Sequence, residues 1–375
     1  MSVSTSGFIN SGLICHLDAY KYSGTGTTWT DLTKTYNGTL VGTPPYTHMA
    51  KTGITFANKT LNYGPSPDGG NNSTRVWNTP SVGSYFTFHN GSLLNTVIGQ
   101  TYTFSFYGKA DGPNSLLFLE SWSTNYCGFN VNLNTQTIYG QRSNVIASSV
   151  TNAGNGWYRY SVTSTPNTIH GLESVMYVGA YGSTATQHYA QVYGFHIEYG
   201  TAVPFTPSFM FDGSSQSATL SIPDSFWNST SWTVSTWVNF NLVNRGNDNS
   251  IIGHGGATNN NGLHLVERGA KAYIGFFNND LSGAITLVAN TWYNIVYSFD
   301  FSTKVKTLYV NGVFDVSGGT VGYGGTGSNT TIGRHTFDAN GQLFGLLSSV
   351  SFYNRALTAT EISLNYKSTK GRYLQ

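Results

Sequence analysis

Apolar and polar positions alternate with period two along most of this chain. In QTYTFSFYGKA (residues 100–110), Tyr102, Phe104 and Phe106 fall on one face, with Thr and Ser opposite. Such alternation predicts half-buried β-strands rather than helices. SWTVSTWVNF (231–240) sets Trp232, Val234 and, after a step, Trp237 on one side. GWYRYSVTST (156–165) and TWYNIVYSFD (291–300) form a second matched pair. Two stretches therefore share one plan: an aromatic strand, a long Gly/Asn-rich middle, then a Trp-Tyr strand. Trp157 and Trp237 read as core residues, whereas Trp77 and Trp227, beside turns, read as exposed.

Turn chemistry supports the strand reading. LYVNGVFDVS (308–317) places Asn311-Gly312 between two alternating runs, the pair that tolerates the positive φ of a tight hairpin turn. A helix is predicted in the segment 345–367, where Thr358 and Glu361 have capping-box spacing; Ile362 and Leu364 are expected to pack it onto a sandwich end. Composition points the same way. Of 375 residues, 15% are aromatic and only 9% charged, and 44 are Gly, which favours strands and turns over helices. The expected fold class is all-β: two antiparallel sandwiches of jelly-roll type and a short C-terminal helix.

The formal charge of +2 is spread without a Lys/Arg run, which argues against a nucleic-acid partner. No apolar run approaches the length of a membrane-spanning helix, so no membrane insertion is expected. MSVSTSGFINSGL lacks the basic start and apolar core of a signal peptide, so synthesis in a cytoplasm is expected. Cys15 and Cys127 fall in different predicted domains and read as free thiols.

Several segments, taken in order, resemble a laminin-G-type, concanavalin A-like jelly roll: FDGSSQSATLSIP, SWTVSTWVNF, NTWYNIVYSFD, LYVNGVFD, TIGRH and SSVSFYNRALTATEI, all beyond residue 208. The opening strand such a domain needs is found at residues 11–42, far upstream. The intervening segment has its own resemblance. SPDGGNNSTRVWN, GQTYTFSFYGKADG, GNGWYRYSVT and AQVYGFHIEYGTAVPFTPS look like a carbohydrate-binding-module-type jelly roll of the kind common in tailed-bacteriophage virion proteins. The expected domains are thus 1–46 plus 208–375, and an inserted 47–207. Insertion at an exposed loop is tolerated because the ends of a compact domain lie close together.

Candidate chemistry is sparse. Jelly-roll glycosidases set two carboxylates on one strand face, and none of the five Glu residues is spaced that way. Glu120 and Glu267 remain the candidates should the chain be a polysaccharide-degrading enzyme. The nine histidines show no His-x-His or tight His/Asp cluster. The resemblance allows calcium at a sandwich edge, where Asp18 and Asp212, flanking the insertion, would meet. For glycan binding, Trp122, Tyr126 and Arg142 in the middle of the inserted domain are the candidates: a ring stacks on a sugar and polar groups fix its orientation. The resulting expectation is a non-enzymatic virion protein (capsid decoration, fibre or tail-associated appendage) that self-associates, meets other virion proteins and contacts cell-surface glycans. A bacterial extracellular lectin or adhesin is the alternative.

Overall fold

The computed structural model describes residues 8–19, 27–41, 58–60, 63–67, 73–79, 85–88, 98–99, 101–121, 128–141, 144–165, 174–179, 186–199, 208–327, 329–338 and 341–373. Strands dominate, and every pairing named below is antiparallel. The chain divides into two compact units, Met1–Tyr46 with Thr206–Gln375, and Thr47–Phe205.

The first unit consists of two facing sheets. One has the order Leu13–Asp18, Phe344–Tyr353, Trp232–Phe240, Trp292–Asp300, Val305–Val310, Val313–Gly318. Phe209–Asp212 is its seventh strand and shares an edge with Leu13–Asp18: Asp18 pairs with Ser349, and Phe209 with Leu347 of the same partner strand. The other sheet has eight strands, in the order Thr28–Trp29, Gly38–Val41, Ser217–Leu220, Thr330–Ile332, Asn249–Gly255, Gly262–Arg268, Lys271–Phe276, Asp280–Ser282. Within it, Thr39, Leu40 and Val41 pair with Thr219, Ala218 and Ser217. Both sheets are therefore built from residues lying before position 46 and after position 206.

Alternation explains the core. Trp232, Val234, Val238 and Phe240 point inward, as do Ile295, Tyr297 and Phe299, to meet Leu263, Leu265, Ile274 and Phe276 of the facing sheet. Trp237 departs from the expectation. It is buried, but on the opposite face, where it stacks on Tyr373 at 3.9 Å and its Nε1–H donates to Thr369 Oγ1. Strict period two sends it there, because it lies three positions, an odd step, beyond Val234. Trp227, expected at the surface, is fully buried and donates its indole N–H to Thr330 Oγ1. Asn311-Gly312 forms the hairpin turn with φ of 53° and 73°.

The predicted helix is Ala359–Thr369, capped by the full Thr358/Glu361 box. It covers the outer face of the seven-stranded sheet rather than a sandwich end. Ile362 enters a small cluster with Ile9, Val296, Tyr309, Tyr353 and Leu357, while Leu364 stays exposed.

The second unit also pairs two sheets. A six-stranded one runs Val145–Gly154, Trp157–Ser164, Tyr102–Ala110, Tyr189–Tyr199, Thr74–Trp77, Asn58–Thr60. A five-stranded one runs Thr137–Tyr139, Gly128–Asn132, Leu116–Ser121, Ser174–Val178, Tyr85–Phe88. Phe106 stacks between Tyr160 and Phe195 in its core, and Trp157 is buried with its N–H on the carbonyl of Pro65.

Candidate functional site

The side chains on which a functional reading rests stand on the outer face of the eight-stranded sheet. One rung crosses five strands there: Thr331, Gly253, His264, Gly275 and Asp280 are successive pairing partners. In GLHLVER, the odd apolar residues Leu263 and Leu265 go inward, so His264 and Arg268 face out. Gly275 lets the imidazole lie flat on the neighbouring strand. A Cβ at that position would overlap both His264 Nε2 and Asp280 Oδ1.

Around this rung runs a closed circuit of imidazole, carboxylate and guanidinium groups. His264 Nδ1–H donates to the carbonyl of Gly262 at 3.0 Å, which leaves Nε2 3.1 Å from Asp280 Oδ1, close but without a directed hydrogen bond. Asp280 Oδ2 accepts from Arg268 Nη1–H at 2.8 Å. Arg268 grips Asp248 with two parallel bonds of 2.7 Å. Asp248 Oδ2 lies 3.2 Å from His335 Nε2, and the His335 ring returns to His264 at a centroid distance of 5.8 Å. The His335 contact is close but poorly aligned, and neither of its ring nitrogens makes a directed hydrogen bond.

Aromatic rings border the circuit. Phe337 lies 4.9 Å from His335 and meets Phe277 edge-on at 5.5 Å, while the Arg268 guanidinium covers Tyr273 at 5.1 Å. Arg268 is the outermost member, with its side chain 41% exposed against 11% for Asp248. Three of its five N–H groups serve the two aspartates, leaving about two to face solvent or a ligand.

Electrostatics fix the protonation of the acids. Burial pushes the Asp248 carboxyl up, but the two bonds from Arg268, with His335 close by, prevail and hold it well below the usual carboxylate range. Asp280 is lowered in the same way, with His264 and Arg268 overcoming its burial. Both are firmly ionised at neutral pH.

The residues singled out from the sequence are placed elsewhere. Trp122, Tyr126 and Arg142 lie outside the described residues. Asp18 forms a two-bond ion pair with Arg372 at 2.9 and 3.0 Å. Asp212 closes its own turn, accepting from the amides of Ser214 and Ser215. Both aspartates sit along one partner strand, opposite Ser349 and Phe344. Five residues at roughly 3.3 Å each put them about 16 Å apart, too far to share a calcium ion. Among the described residues no group of three or more His, Cys, Asp or Glu side chains is arranged to hold a metal.

Glu267 faces inward. It is fully buried and accepts from the amides of Asn244 and Ala270 and from Asn249 Nδ2–H, a structural carboxylate that ties two turns to the start of a strand. Glu120 belongs to Leu116–Ser121, with its side chain outside the described residues. The histidine circuit has no counterpart in local spacing, because its five members come from four separate segments between residues 248 and 335. The one available signal was the polar His264 at an outward position between inward leucines.

No curated protein sequence matches the chain significantly. Solved structures give partial likenesses. Domain 4 of AbnA, a GH43 extracellular arabinanase from Geobacillus stearothermophilus in complex with arabinotriose, is 20% identical over 44% of this chain and 81% of that one, with a TM-score of 0.34. The Ruminococcus gnavus IT-sialidase CBM40 bound to α2,3-sialyllactose is 16% identical over 37% and 83%, with a TM-score of 0.32. The native heptameric SAP-like pentraxin from Limulus polyphemus is 19% identical over 36% and 71%, with a TM-score of 0.29. Residues 212–363 match a laminin-G family model described as Concanavalin A-like lectin/glucanases superfamily. That stretch resembles this superfamily in sequence, and it supplies most strands of the two antiparallel sheets of the first unit, a jelly-roll fold.

Proposed function

We propose that this chain is a non-catalytic glycan-binding protein and that its binding face is the outer surface of the eight-stranded sheet. The observation that carries the reading is the circuit His264–Asp280–Arg268–Asp248–His335 bordered by Phe337, Phe277 and Tyr273. A planar cation with spare N–H groups, ionised carboxylates and half-buried rings supplies hydrogen bonds to sugar hydroxyls and an apolar surface for a pyranose face. The lectin/glucanase description of the matching family agrees with it.

Catalysis is the weaker alternative at this face. Glycoside hydrolysis needs one carboxyl that stays protonated at working pH. Asp248 and Asp280 are both held ionised, and Glu267 is committed to three structural bonds.

The setting we favour is a tailed-bacteriophage virion, as a decoration, fibre or tail-associated protein that self-associates and meets other virion proteins. This rests on the resemblance of the segment 47–207 to modules common in such particles. A bacterial extracellular adhesin uses the same face in the same way, so the two settings part only on location. A glycan array should show binding that Arg268→Met and Phe337→Ala each weaken about tenfold, the cost of one good polar or stacking contact. Absence of binding to every glycan, or binding indifferent to both changes, refutes the assignment. Mass spectrometry of purified particles from the source decides the setting.

A further inference from the structure

A second polar recess lies in the same unit, on the outer face of the seven-stranded sheet beneath the C-terminal helix. It has a volume of about 300 Å³. Two rungs form its floor. His16, Ser351 and Ser235 are successive partners across three strands, and Ser349, Trp237 and Asn294 are successive partners one step along. Ser368, Thr369, Asn365 and Arg372 close it from above, and Phe8 from the side. Small serines under a helix leave space where larger side chains would fill it, and the sheet elsewhere beneath this helix carries Tyr353, Val296 and Tyr309.

We propose that this cavity binds a neutral, polyhydroxylated molecule the size of a single pyranose ring. Its volume equals about ten water molecules at roughly 30 Å³ each and lies at the small end of ligand pockets. Its polar groups call for hydroxyls. Asn294 is 2% exposed; its Nδ2 donates to the carbonyl of Thr236 and to Ser235 Oγ. A carbonyl only accepts, so the nitrogen is fixed there and the oxygen is fixed on the other side. That Oδ1 is shut away from solvent and from protein donors alike, so it is Ser235 that presents this pair to the cavity. Ser235 Oγ, already accepting from Asn294, is set to donate its own hydrogen.

The walls carry no uncompensated charge. Arg372 is paired with Asp18 by two bonds. His16 shares a 2.7 Å hydrogen bond with Ser351 Oγ, and burial pushes its ring below the ordinary imidazole range despite the pull of Asp18. A neutral ligand therefore suits the cavity better than an acid sugar. The edge of Trp237, held between Tyr366 and Tyr373, supplies an apolar side.

Saturation-transfer NMR on the full chain with D-glucose, D-galactose and D-mannose, and D-glucuronate as the charged comparison, tests this. Transfer to at least one neutral hexose is expected. Asn294→Ala should weaken it about tenfold, because Ser235 Oγ loses the donor that turns its own hydrogen toward a ligand, and Ser235→Leu should abolish it by filling the floor. Ser368→Leu fills the same space from the helix, so the test survives if the sheet variant fails to fold. A hexose signal that persists in both Ser235→Leu and Ser368→Leu belongs to another surface, the eight-stranded face included, and overturns the cavity proposal. So does preference for glucuronate, or no transfer from any of the three hexoses.

Discussion

Gly275 shows how one missing side chain organises a site. Its neighbour His264 lies across the strand only because no Cβ stands in the way, and Asp280 reaches the ring over the same gap. Gly275→Ala must push the imidazole or the carboxylate aside. Overpacking of this kind costs about 1–3 kcal/mol, so the melting temperature should fall. Glycan affinity should fall with it, because Arg268 loses the orientation Asp280 gives it. Calorimetry beside the glycan array checks both; a variant with unaltered melting and binding would show that the ring has another resting place. This is also where sequence reading reached its limit. His264 is recognisable as an outward residue, yet its partners Asp280, Asp248 and His335 are brought to it by ladder register, which no local spacing records. Glu267 shows the converse: a charged residue on a strand that invites a catalytic reading is turned inward by alternation and used up by three donors.

At the scale of elements, the helix Ala359–Thr369 was legible because capping is local. Thr358 and Glu361 satisfy each other's backbone amides, and Glu361 also grips Arg355 through two bonds of 2.8 and 2.9 Å. Its placement was not legible, since one anchoring Ile362 suits a sheet face as well as a sheet end. The Arg355 bonds hold the Glu361 carboxyl at about 2, against 4.5 for the free group. A carboxyl lowered on folding stabilises the folded state above its unfolded pKa and ceases to do so as pH falls through its folded value. The helix should therefore loosen from the sheet between about pH 4.5 and 2, with a loss on the order of 3 kcal/mol. Trp237, whose N–H ends on the helix at Thr369, reports that release by fluorescence. Glu361→Gln should weaken the helix at neutral pH and flatten the acid transition; an acid transition of unchanged size would exclude this ion pair as its cause.

For the whole molecule, the all-β class and the capped helix were readable from periodicity and turn residues, because both reflect short-range geometry. Which aromatic rings lie between sheets and which lie under the helix was not, as Trp227 and Trp237 show. The division of the chain into two units carries its own prediction. Removing residues 47–205 and joining the flanks with a short Gly/Ser linker should leave a cooperatively folding jelly roll, since Gly38–Val41 still finds Ser217–Leu220. Calorimetry of the full chain should show two transitions, one of which the shortened chain retains. A shortened chain without a cooperative transition would mean that the middle segment is required for the outer unit to fold.

The end-to-end strands Leu13–Asp18 and Phe209–Asp212 bear on how the chain is made. Both are completed by Phe344–Tyr353, and Ile9 waits for Asn365, 356 positions later. At synthesis rates of about 5–20 residues per second, the first strand spends roughly 20–70 seconds without its partner. Meanwhile Thr47–Phe205 has left the ribosome with all of its own strands. Vectorial synthesis thus favours a middle that closes first, while the leading segment needs shelter from mispairing until the tail arrives.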